Sequence, residues 1–177
     1  MNYKIFFYVV LLSLIYNCKS DKKQKLEIIK KSNKDILVKH KSFSSINKDS
    51  YEKINSWKSY ENFKEFIQRF ENISPNEAFA NVKELKSLTE TLKDSLTIYE
   101  FKTPAFKARL NVLENEVLRL DDMADIPAIT STEVNLQINK IFLVFSSLNE
   151  KINALHDQEA LEEEINLDTF FKVDSLQ

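Results

Sequence analysis

Three long stretches of this chain repeat apolar positions at alternating intervals of four and three residues, and each predicts a helix. The first runs Ala78, Val82, Leu85, Thr89, Leu92, Leu96 and Tyr99. The second is Phe106, Leu110, Leu113, Val117, Leu120 and Ala124, and the third Val134, Ile138, Ile141, Phe145, Leu148, Ile152 and Leu155. A mean spacing near 3.5 keeps an apolar strip facing its partners when helices supercoil left-handedly at small crossing angles. Ahead of these, Tyr60, Phe63, Ile67 and Phe70 are spaced three, four and three, with Trp57, Phe66 and Ile73 widening the stripe. This predicts a further helix over about 57–72.

Polar residues supply the boundaries. Ser74-Pro75-Asn76-Glu77 has the form of a capping box, in which the serine hydroxyl accepts from the Glu77 N–H while the carboxylate reaches back, and Pro75 occupies a position that needs no donor. Thr103-Pro104 repeats the cap-then-proline device, and Thr130 with Glu133 makes a second box after a turn at Asp125 to Thr130 that contains Pro127. Short connections require antiparallel neighbours. The expected fold is therefore all-α: an antiparallel up-down bundle of four helices over 57–165, with left-handed, heptad-type packing. The last helix is expected to run on to Glu164 and overshoot the others. Its IFLVF run, Ile141 to Phe145, is apolar on every side. A central position for that helix is the expected reason, with an exposed partner patch as the alternative.

The flanking segments differ in charge. From Cys18 to Lys58 there are 12 lysines against Asp21, Glu27, Asp35, Asp49 and Glu52, without sustained apolar period, so 18–56 reads as a basic, partly disordered tether. Between Glu150 and Gln177, eight acidic residues face only Lys151 and Lys172, and 166–177 reads as a tail in which Phe170, Phe171 and Val173 either fold back or anchor a partner. The topology expected from the pattern brings the tether to the end at which the last helix finishes.

Composition narrows the chemistry. The chain contains no glycine, which argues against phosphate-cradling loops and tight hairpins, where the backbone takes positive φ or approaches a ligand closely. The two histidines, His40 and His156, lack partners at metal-ligand spacing, since the residue three before His156 is Asn153. No nucleophile sits in a glycine-framed turn, and the folded part is acidic. We therefore expect no catalytic residues, metal site, cofactor or nucleic-acid partner.

The apolar run Ile5 to Ile15 is too short to span a bilayer, which takes about 20 residues, and it leads to the only cysteine, Cys18. Ile15-Tyr16-Asn17-Cys18 resembles the lipobox of bacterial lipoproteins. Asn17, Cys18 and Lys19, with the starts at Ser74 to Glu77 and Thr103 to Phe106, resemble small helical lipoproteins of the Bacteroidota type. The resemblance implies a signal peptide over 1–17, acylation of Cys18 and residence at an outer membrane, on its periplasmic or surface face. It implies no activity. The expectation is a lipid-anchored envelope protein serving as a structural or protein-interaction module, with Ile126, Pro127, Ile129, Phe170 and Phe171 as candidate partner contacts. The alternatives are a binding protein for a small apolar ligand or metal ion, and an envelope enzyme.

Overall fold

The computed structural model describes residues 34–164. The chain divides into two units, 1–32 and 33–177, and all described residues belong to the second. Its elements are β1 (Val38–Lys39), α1 (Lys48–Ile54), α2 (Lys58–Gln68), β2 (Asn72–Ile73), α3 (Pro75–Asp94), α4 (Pro104–Ala124) and α5 (Ser131–Glu164), with single 3₁₀ turns at Arg69–Glu71 and Tyr99–Phe101. The described chain is all-α apart from the two-residue strands, which pair antiparallel with Val38 opposite Ile73.

The caps form as the sequence implies. Ser74 and Glu77 close a complete capping box at the start of α3. The Thr103 hydroxyl accepts from the Phe106 N–H at the start of α4. Thr130 and Glu133 exchange hydrogen bonds ahead of α5, with the Thr130 N–H donating to Glu133 Oε2 at 2.8 Å. Each box satisfies N–H groups that have no partner within the first helical turn.

The apolar seams are the core. Val82, Leu85, Leu92, Phe106, Leu113, Val117, Leu120, Val134, Ile138, Ile141, Phe145 and Leu148 are all buried. Cross-helix contacts pair early residues with late ones: Lys83 with Asp121 and Lys93 with Glu114 between α3 and α4, Arg109 with Ser147 and Gln137 with Glu116 between α4 and α5, and Tyr60 with Asn149 between α2 and α5. These contacts tie α3 to α4, α4 to α5 and α2 to α5.

Four details depart from the pattern. The helix expected over 57–72 stops at Gln68, because the chain tightens into a 3₁₀ turn and then extends so that Ile73 can pair with Val38. At the far end, α3 stops at Asp94, and Tyr99 is exposed. Phe101 takes the core place instead, stacked on Phe106 with ring centroids 5.0 Å apart. On α4 the seam ends at Leu120, and Ala124 is exposed. The IFLVF turn is not covered all round: Ile141 and Phe145 face the core, Phe142 is covered by Phe43 and His40, and Leu143 is 70% exposed.

Residues 34–56, expected to belong to the tether, are held against the helices by a few side chains, among them His40, Phe43, Ile46, Ser50 and Ile54, while Ile36 and Leu37 stay exposed. After β1, residues 40–47 lie along α5 as an extended strap, and α1 follows with Ser50 and Ile54 buried. The strap runs in the same sense as α5, since His40, Ser44, Asn47 and Lys53 meet Asn139, Ser146, Asn153 and Glu159 in turn. This reverses the expected point of entry. The Asn76 N–H donates to the Lys34 carbonyl at 3.0 Å, and the Lys34 ammonium lies over the Phe79 ring. The chain thus enters where α3 and α5 begin, at the end opposite the α5 overhang.

Candidate functional site: exposed apolar surface at the chain entry

Several buried polar groups are used by the fold. Asp121 is nearly buried on α4, where Lys83 and Lys86 of α3 reach it at 2.8 and 3.6 Å. The Lys83 hydrogen bond holds the Asp121 carboxyl below its usual range, against the opposing effect of desolvation, and the Lys83 ammonium is raised in return. Tyr60 donates to Asn149 Oδ1, and burial pushes its phenol up. Gln137 Nε2 donates to the Glu116 carbonyl and carboxylate, both at 2.8 Å. His40 Nδ1 lies 2.8 Å from Asn139 Oδ1, with the ring edge-on to Phe142. Among the described residues, no three His, Cys, Asp or Glu side chains converge as a metal site requires, and no helix is long and apolar enough to cross a membrane.

The sequence-predicted site residues separate into two groups. Cys18, Phe170 and Phe171 lie outside the described residues. Ile126, Pro127 and Ile129 occupy the connection from α4 to α5, shaped by N–H donation from Asp125 to Asp122 and from Ile129 to Ile126. Ile126 is 46% exposed and Pro127 is exposed, whereas Ile129 leans on the core and offers less to a partner.

Two further apolar residues at this end are exposed. Ile36 and Leu37, 57% and 55% exposed, precede β1 at the same end of the helices as Ile126. The placement follows from two sets of contacts. Asp35 hydrogen-bonds Asn76 at the start of α3, and Lys83, two turns further on, meets Asp121 near the close of α4. The only hint in the sequence was the apolar triplet Ile36 to Val38, whose position depends on strand pairing across more than thirty residues.

A second surface runs along α4 and α5. Ala105, Ala108 and Val112 face Leu143 and Val144 across a shallow groove of about 460 Å³ rimmed by Arg109. A smaller cleft of about 270 Å³, at the opposite end, has Ile98, Phe101 and Leu155 below Lys53, His156 and Glu159.

No protein-family model matches the chain, and no curated protein or solved structure matches it either.

Proposed function

We propose that this is a lipid-anchored cell-envelope protein that acts as a structural or protein-interaction module, without catalysis. In this reading residues 1–17 are removed, Cys18 is acylated, and α2 to α5 form an antiparallel four-helix bundle with left-handed, heptad-type packing held at an outer membrane. The observation that carries it is the apolar run Ile5 to Ile15 placed just before the only cysteine of the chain. Two acyl chains on one residue anchor stably where a single chain binds only reversibly. The described part agrees with a scaffold role. Its interior is filled by aliphatic and aromatic side chains, and its exposed apolar residues lie on outer surfaces.

The test is metabolic labelling with a radioactive fatty acid, comparing wild type with Cys18→Ala, followed by cross-linking in intact cells. Label on the wild type alone, with the same captured proteins recovered repeatedly, supports the reading. Absence of label removes the anchor. If cross-linking captures nothing specific while extracted lipids or divalent cations raise Tm, the module is a binding protein.

A further inference from the structure

We propose that the entry end of the helical unit rests on the phospholipid bilayer, with Ile36, Leu37 and Ile126 as the side chains that enter its interface. This rests on the lipid-anchor reading of Cys18. A chain held at Cys18 reaches the helices through residues 19–33 and joins them at Lys34, beside Asn76 and Phe79. The anchor's connection is therefore attached to this end of the helices and not to the other. The other end is removed by the length of α3, about 30 Å for a helix of this size.

What stands at the junction suits an interface. Ile36, Leu37 and Ile126 are three of the eight large apolar side chains that stand exposed among the described residues, and they lie at this end although some ninety residues separate them in the chain. Single exposed apolar residues are ordinary, whereas several at one end of a fold mark a candidate contact surface. Pro127 and Ala128 continue the apolar surface beside Ile126. Charge among the residues of this end is mixed: Lys34 and Lys39 on one segment stand against Asp35, and Asp122 and Asp125 flank the α4 to α5 connection. The connecting segment is basic: Lys19, Lys22, Lys23, Lys25, Lys30 and Lys31 stand against Asp21 and Glu27, which favours an anionic headgroup surface beneath it.

The experiment uses the full, lipid-modified chain in vesicles of phosphatidylethanolamine and phosphatidylglycerol. Cys18 is the only native cysteine, so once it carries lipid an introduced thiol is unique. Fluorophores are attached in Leu37→Cys, Ile126→Cys and, at the opposite end, Tyr99→Cys, and are quenched by phospholipids brominated in their acyl chains. Quenching at 37 and 126 is expected to exceed that at 99 by about threefold. In a Leu37→Asn background, the label at 126 should lose much of its quenching while the helical circular dichroism is retained. Equal quenching at all three positions, or stronger quenching at 99, in protein that still sediments with vesicles overturns the docking and leaves the anchor standing. Protein that carries no fatty acid and does not sediment overturns both.

Discussion

Tyr60 on α2 donates its phenolic hydrogen to Asn149 Oδ1 on α5 at 2.9 Å, and both side chains are buried. The Asn149 amide nitrogen then donates to the Ser44 carbonyl at 2.6 Å. One side chain thus joins two helices and the strap. Replacing Asn149 by Ala strands a hydroxyl and a carbonyl together. We expect a loss of about 3 kcal/mol for Asn149→Ala and about 1 kcal/mol for Tyr60→Phe, by urea unfolding. The double variant should cost less than the sum, because the first change already removes the shared bond.

The strap is held by side chains of α5. The backbone N–H groups of Ser44 and Asn47 donate to Ser146 Oγ and Asn153 Oδ1, each at 2.9 Å, while Phe43 rests on Phe142 and Phe145. Phe43→Ala should cost about 2 kcal/mol, less than a fully buried phenylalanine. It should also speed hydrogen exchange at Ser44 and Asn47 well before exchange in α4 changes. Equal acceleration throughout would mean that the strap does not open on its own.

Two neighbouring residues on α5 should respond in opposite ways. Phe145 meets the rings of Phe43, Tyr60 and Phe63, whereas Leu143, two positions earlier, is mostly exposed. Phe145→Ala is expected to cost about 4 kcal/mol. Leu143→Ala should change stability by no more than about 0.5 kcal/mol. Thermal unfolding of the two variants checks both.

Three carboxylates make the fold sensitive to acid. Asp121 is held below its usual range first by the Lys83 hydrogen bond, Glu77 by the Ser74 N–H and hydroxyl, and Glu133 by the Thr130 hydroxyl and N–H. A folded-state pKa below the unfolded one contributes stability that is complete above the unfolded value, near 4, and is lost as pH falls through the folded value. Urea midpoints should therefore hold from pH 7 to about 5 and decline below about 4. Asp121→Asn should lower the plateau by about 1 kcal/mol and make the acid decline shallower. Ser74→Ala should cost a further 1 kcal/mol or so through the lost cap.

Much of the helical unit was legible from local chemistry. The boxes at Ser74 and Thr130 and the Thr103 cap each involve residues three apart, so they could be read directly, and the seams from Ala78 to Leu148 mark the sides that became buried. The strap was not legible in the same way. Its lysines and serines at 39–45 read as solvated, and the asparagines that hold it, Asn139, Asn149 and Asn153, lie about a hundred residues away and have no meaning until helix and strap are side by side. The candidate surface was half legible: Ile126 and Pro127 stood out as apolar residues in a turn, while Ile36 and Leu37 looked like a fragment of tether.

The sequence by itself determined where helices begin, which strips they bury and that no glycine-built loop is present, because those properties depend on spacing within a few residues. Only the tertiary structure decided that Phe101 rather than Tyr99 closes the core, that Phe142 is covered and Leu143 is not, and that the chain enters where α3 begins. Each of these depends on which segments become neighbours. The strap decides most of them, since by packing along α5 it carries the entry point to the end opposite the one the connections alone imply.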